Sequence, residues 1–419
     1  MKLLLWLGGA IAVLGLLAPR LQFSGKPIPF ATVPEVRSLV EGNSAFAVDL
    51  YRQLAGQPGN LFFSPHGIST SLAMAYAGAR GQTAKEMAAA LHFQLPQASL
   101  PPAFGELAGR MDRIQRWPRI SLTSASSLWL QQDYDFTDDF LNQIRTAYRA
   151  EAQRVDFKRN PQDASARINR WAAKATGGKM ENASRADQFP PDTRLLLCNA
   201  IHFKGTWKDR FEPGQTSTGP FHVTTNTSVP VPLMHRLGRF KTTFSDDYRI
   251  TIVELPYSGG DLSMVILLPE TSDYPTATAR FSIRAMEEGL SWESLKGYLR
   301  NLEETDLHET DLVMPRFTIR QRHNLVPALK AAGLASMFDG RADFSGMDGT
   351  TKLFVADVTH EALVEVDETG TEAAAFTLFR AAARGGPTRV RLDHPFMFLI
   401  RDRASGSILF LGRVVDPSK

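Results

Sequence analysis

The chain has 419 residues and 43% hydrophobic content, enough to bury a large core as one large domain or two smaller ones. Its 47 Lys and Arg nearly balance 44 Asp and Glu, for a net charge of +3, and no long basic run occurs, so a dedicated nucleic-acid surface has no support. A single cysteine, Cys198, excludes an intrachain disulfide and leaves stability to the core.

Met1 to Ala18 stands apart, with Lys2, an apolar run from Leu3 to Leu17 broken only by glycines, then Pro19 and Arg20. It reads as an export signal. The competing reading is an uncleaved single-span anchor, because the run is short for a bilayer and no small-x-small cleavage pattern follows it. Both readings place the bulk of the chain outside the cytoplasm, secreted or held at a membrane. Residues 19–35, carrying Pro19, Pro27, Pro29 and Pro34, read as a linker, and the folded domain is expected from Val36 to Lys419.

In NLFFSPHGISTSLAMAYAGARGQTAKEM, Ser64 is an N-cap and Pro65 suits a first helical turn. Ile68, Leu72, Ala75, Tyr76 and Ala79 follow helical spacing, which predicts a buried helix that Gly81 ends. Thr83 and Glu86 then form a capping box for a second helix to about Leu91. From about Ser121 the texture turns to strands: SLTSASSLWL, RLLLCNAIHFKGTW, RITIVELPY and DLSMVILLP. Several are apolar on both faces, which implies a large sheet covered by helices. A helix is expected over Ser291–Leu302, then LVMPRFTIR as a strand, then two apolar strands joined by a turn at Ala404–Gly406. Helices early, strands late and no alternating repeat give an α+β domain.

Motifs for enzyme chemistry are missing. The nine histidines include none with metal-ligand spacing, and there is no Gly-x-Ser-x-Gly elbow, Walker loop or dinucleotide-binding glycine pattern. No cofactor or metal is expected. Cys198 lies in a run that reads as a buried strand, an inert position for a thiol.

The stretch EVDETGTEAAAFTLFRAAARGGP, Glu365 to Pro387, is different. In extended form Thr371, Ala373, Ala375 and Thr377 share one face, small enough to slide into a core, and Glu372, Ala374, Phe376 and Leu378 share the other. Gly370 supplies a pivot, and Arg384-Gly385-Gly386-Pro387 offers a basic residue in flexible surroundings, a pattern that suits protease bait. Spacing alone leaves open an Ala-rich surface loop with partial helix.

The chain from Val36 to Lys419 resembles the serpins, the serine-protease-inhibitor superfamily. The resemblance is carried by Asn60-Leu-Phe-Phe-Ser-Pro65, Asn199-Ala-Ile-His-Phe-Lys-Gly-Thr-Trp207, Glu254-Leu-Pro-Tyr257, Ala342-Asp-Phe-Ser-Gly346, Gly370-Thr-Glu-Ala-Ala-Ala375, Asp393-His-Pro-Phe396 and Phe410-Leu-Gly-Arg413. It implies three sheets, A, B and C, about nine helices and an exposed reactive-centre loop over about 368–387. It also implies suicide inhibition, in which the loop is cut, acylates the protease and enters sheet A as a strand. By the same resemblance Glu368 is the hinge acid and Arg316 its partner, while Gly370, Thr371, Glu372, Ala373, Ala374 and Ala375 make the hinge. Ser64, Asn199 and His360 match the shutter and Trp207 the breach. The family's usual loop length puts the scissile bond at Arg384-Gly385, which suits trypsin-like proteases.

Three departures stand out: Phe376 at a position usually small, Gly67 where serine is common, which is expected to loosen the shutter, and a long stretch from Thr271 to Asp311 that suggests an insertion. A register slip of one residue moves the cut to Ala383-Arg384 and favours elastase-like or subtilisin-like targets, and Arg380 is a further candidate. Thr83 to Phe93 has no basic stripe, so heparin-type activation has no support. The expected partner is a serine protease bound by a monomer. A non-inhibitory binding or chaperone-like relative is the alternative, and an unrelated exported hydrolase ranks below both.

Overall fold

Local chemistry starts the fold at Ser64. Its hydroxyl accepts the Gly67 N–H, and Pro65 opens a helix whose missing N–H costs nothing there. This computed structural model describes residues 33–116, 120–190, 192–247, 249–270, 282–368 and 386–419, together with Pro27 and Phe30. Its α-helices are α1 (Pro34–Leu54), α2 (Pro65–Gly78), α3 (Gly81–Ala90), α4 (Leu100–Gln115), α5 (Asp138–Ala147), α6 (Pro161–Ala175), α7 (Ile283–Gly289), α8 (Trp292–Glu304), α9 (Val326–Ala331) and α10 (Ser345–Asp348). The strands are β1 (Leu61–Phe63), β2 (Ile120–Gln131), β3 (Glu151–Val155), β4 (Leu195–Gly205), β5 (Ser217–Thr224), β6 (Thr227–Ser245), β7 (Ile250–Pro256), β8 (Leu262–Pro269), β9 (Leu307–Pro315), β10 (Phe317–Asn324), β11 (Asp357–Val366), β12 (Thr388–Arg391), β13 (Phe396–Asp402) and β14 (Ile408–Val414).

Five strands make one sheet in the order β10-β11-β4-β2-β3. The other nine form a continuous path that turns about the long β6. One part of β6 pairs with β5 and β9, with β12 beyond β9; its last residues pair with β7, leading on through β8, β13 and β14 to β1. The three sheets that the resemblance implies are therefore the five-stranded sheet and two others that share β6. In β8, β13 and β14 every residue is buried, as expected of strands covered on both faces.

Three apolar clusters hold these layers together. One packs α1 and α2 against residues of both sheets, including Leu128, Leu197, Leu267 and Leu399. A second lies between the sheets, with Phe62, Ile201, Phe203, Val364, Phe398 and Phe410, and Phe62 stacks on Phe410 at 5.2 Å. The third sits under α6 on the opposite face of the five-stranded sheet and includes Trp129, Trp171, Cys198 and Leu363.

Two expected local features differ. Gly81 does not end α2, which stops at Gly78; it opens α3 with φ +53°, a backbone shape that disfavours other residues. Thr83 and Glu86 do not form a capping box. The Thr83 hydroxyl accepts the Asp343 N–H, and Glu86 accepts the Ser336 hydroxyl, so both residues tie α3 to the 336–343 segment. LVMPRFTIR is also not one strand: Pro315-Arg316 divides it into β9 and β10, which belong to different sheets.

Candidate functional site

At the middle of the five-stranded sheet, β11 and β4 run parallel with Val358 opposite Leu197, His360 opposite Asn199, Ala362 opposite Ile201 and Val364 opposite Phe203. Ser64, Asn199 and His360 meet there in one hydrogen-bonded chain. The Ser64 N–H donates to His360 Nε2 at 2.9 Å, so Nε2 carries no proton and Nδ1–H donates to Asn199 Oδ1 at 2.8 Å. Asn199 Nδ2 donates onward to Ser126 Oγ of β2 at 3.0 Å, and the Ser64 hydroxyl donates to the Leu409 carbonyl of β14 at 2.7 Å. His360 is 0% exposed, and burial holds its pKa well below the ordinary value, with the nearby His323 acting in the same sense. A neutral imidazole is thus the one side-chain bridge across the seam in this chain of contacts. Ser126, which anchors the chain on the β2 side, was not singled out from sequence; it sits in an unremarkable serine-rich strand.

Gly67 does not loosen this cluster. A Cβ there would lie 2.6 Å from Asn199 Oδ1 and 2.8 Å from Nδ2, so the amide packs directly over the glycine. Gly67→Ala is expected to cost about 1–3 kcal/mol by overpacking. The check is the rate of heat inactivation, which should rise, with Gly67→Ala/Asn199→Ala recovering part of the loss.

At one end of the seam, Glu368 is 3% exposed yet ionised. Burial pushes its pKa up, but hydrogen bonds from Arg316 and Thr216 outweigh that and lower it overall. Arg316 Nη2 reaches both carboxylate oxygens, at 2.5 and 2.6 Å, and the Thr216 hydroxyl donates at 2.6 Å. Arg316 stands between β9 and β10, and its backbone N–H donates to the Pro232 carbonyl, so the cation is fixed where two sheets meet.

Trp207 lies beside this end. Its indole N–H donates to the Asp367 carbonyl at 2.9 Å, and its ring stacks on Tyr257 at 4.6 Å. Lys204 bridges Asp367 and Glu365, while Lys179 and His202 also reach Glu365. Led by the Lys179 contact, these partners draw Glu365 down to about 2. Sequence reading missed Thr216 and the Lys179, Lys204, Glu365 and Asp367 cluster, because each of these contacts joins residues more than 150 positions apart that meet only in the fold.

The remaining expected positions, Gly370, Thr371, Glu372, Ala373, Ala374 and Ala375 of the hinge and the bond Arg384-Gly385, lie outside the described residues, as do Ala383, Arg380 and Phe376. The described chain resumes at Gly386 and enters β12, where Thr388 to Arg391 pair in parallel with Thr310 to Val313. Among the described residues no cluster of His, Cys, Asp and Glu could hold a metal ion. Cys198 is buried, and burial pushes its thiol pKa far up, which leaves it unreactive.

Comparison with known proteins matches this arrangement. A family model for serpin (serine protease inhibitor) covers residues 41–417. A leukocyte elastase inhibitor of Bos taurus is 37% identical over 387 residues, spanning 91% of this chain and 100% of that protein. A serpin-like protein of Thermococcus kodakarensis is 35% identical across 91% of this chain and 86% of its own length. Among solved structures, maspin superposes with a TM-score of 0.83 at 29% identity, and mouse protein-Z dependent protease inhibitor with 0.80 at 28%. They cover 91% of this chain, and 100% and 99% of their own. The chain belongs to the serpin family, a family of serine protease inhibitors with a mixed α+β fold.

Proposed function

We propose that this protein is a suicide-substrate inhibitor of serine proteases, cut at Arg384-Gly385, with a trypsin-like enzyme as target. One observation carries the reading: β11 and β4 are parallel neighbours, and the chain leaving β11 at Val366 would run antiparallel to both on entering between them. Insertion then replaces one parallel ladder by two antiparallel ones, the better-bonded arrangement. At about 1 kcal/mol net per hydrogen bond, a strand of ten or so new bonds releases on the order of 10 kcal/mol. The native form is accordingly a kinetic trap.

The chemistry belongs to the protease. Its serine oxygen attacks the Arg384 carbonyl carbon, an ester bond forms, the bond to the Gly385 nitrogen breaks, and that nitrogen leaves as an amine carrying the proton taken from serine. The freed end from Glu368 onward enters the seam with the protease still esterified to it. Arg316, Thr216 and Trp207 hold the root of this segment at the end of the seam, where parting would start. The sequence up to Ala18 fits export of the protein, and residues 3–17 would form the anchor if that segment stays uncleaved. Among the described residues no helix is long and apolar enough to cross a membrane. We also take the active form to be a monomer.

A second specificity has its own support, since several relatives are named leukocyte elastase inhibitors. Cleavage at Ala383-Arg384 would serve such a target. Incubation of the protein with trypsin and, separately, elastase, followed by denaturing gels and mass spectrometry of the released peptide, tests both. A covalent band with trypsin and a peptide beginning at Gly385 is the expected result, and Arg384→Ala should lower the rate of trypsin complex formation by at least 100-fold. A band with elastase and a peptide beginning at Arg384 would transfer the assignment to the second reading. Cleavage with no covalent band from either enzyme overturns the inhibitory function.

A further inference from the structure

A cavity of about 540 Å³ opens between α2, α4, α6 and the strands β2 and β3. That size falls within the range of small-molecule sites. Phe104, Met111, Tyr148 and Trp171 give it apolar surface. Arg167, Arg170 and Lys174 line it from α6, where the spacing puts all three on one face of the helix. None of these three cations has an ion-pair partner among the described residues, whereas Arg149, also in the lining, is paired with Asp112. Glu151 is the other acid of the lining.

His66 is part of the same wall. It is 7% exposed, and its Nδ1 has no hydrogen-bond partner among the described residues. Burial lowers its pKa to about 4, so at neutral pH it offers a hydrogen bond, not a charge. A buried polar atom left without a partner is destabilising, and an occupant with a polar group relieves it.

We propose that this cavity binds a small amphipathic anion, a monocarboxylate whose apolar body lies against Phe104, Met111 and Trp171 and whose carboxylate meets the unpaired cations of α6. The site is separate from the seam and from Glu368, and its occupation needs no protease. Ala125 and Ser126 link it to the seam, since both line the cavity and accept from Asn199 Nδ2.

Isothermal titration of the whole protein with dodecanoate, below its micelle concentration at pH 7.5, tests this. One-to-one binding is expected, with 1-dodecanol and dodecyltrimethylammonium each at least 10-fold weaker. Arg170 and Lys174 are exposed, so the reversal Arg170→Glu/Lys174→Glu leaves the core untouched and should weaken dodecanoate at least 10-fold. Ala108→Trp, which fills the cavity from α4, should abolish binding. The proposal is overturned if dodecanoate fails to bind at 1 mM, if the alcohol binds as tightly, or if either variant binds within twofold of the original chain. Trypsin trapping would be unchanged by any of these outcomes, so this site and the inhibitory function stand or fall separately.

Discussion

Under the proposed function, Ala375→Arg is expected to turn a trypsin inhibitor into a trypsin substrate. Ala375 shares a face with Thr371, Ala373 and Thr377 in an extended chain, the face that would turn inward on insertion. The inward residues bordering the seam are Leu197, Asn199, Ile201 and Phe203 on one side and Val358, His360, Ala362 and Val364 on the other. All of them are buried, and they leave no acid to meet a guanidinium. Burying an unpaired charge costs several kcal/mol. Even 3 kcal/mol in the insertion barrier slows that step more than 100-fold, while hydrolysis of the acyl bond on the protease keeps its rate. Titration of trypsin activity with the variant should therefore require more than ten equivalents where the original chain needs about one, and gels should show cut protein in place of the covalent band. Ala374→Arg, on the opposite face, is the control and should retain trapping. Equal behaviour of the two variants would refute the assigned parity, and with it the insertion step.

How far the sequence discloses such a site depends on the range of the interactions. Ser64 is legible because a cap is a contact between neighbours, and the observed bond to Gly67 spans three residues. The partnership of Glu368 and Arg316 spans 52 residues and was reached only through family resemblance, since no local rule connects an acid after one strand with an arginine between two others. Gly67 shows the limit more sharply. Glycine in a helix ordinarily signals looseness, yet here the missing side chain is what lets Asn199 pack close. The split of LVMPRFTIR into β9 and β10 was also hidden, because an extended run looks the same whether it stays in one sheet or crosses to another. The cations of α6 carry no motif either; they became informative only once the cavity beside them was seen.

Acidification is expected to release the trap, and His360 is the main cause. Its folded pKa lies well below the ordinary 6.5, and His66 and His323 are lowered too, each chiefly by burial. For a base depressed in the folded state, the unfolded or opened chain takes up the proton first, so stability is complete above pH 6.5 and declines as pH falls toward the folded pKa. Each such histidine contributes up to about 1.4 kcal/mol per pH unit in that window. Asp357 and Glu361 act in the opposite sense, because burial raises their pKa and their protonation relieves the folded state on acidification. These histidines enter first, near 6.5, together with His202, whose pKa burial also lowers, so heat inactivation at pH 5.5 should be at least several-fold faster than at pH 7.5. His360→Leu separates the contributions. It leaves the Ser64 N–H and the Asn199 carbonyl without their partner, at about 1–3 kcal/mol each, so the variant should inactivate faster at pH 7.5. It should also lose part of the pH dependence, since the group that titrates across the seam is gone. A variant that kept the full ratio of rates between pH 5.5 and 7.5 would place the acid sensitivity elsewhere in the molecule, with His66 and His323 the next to replace.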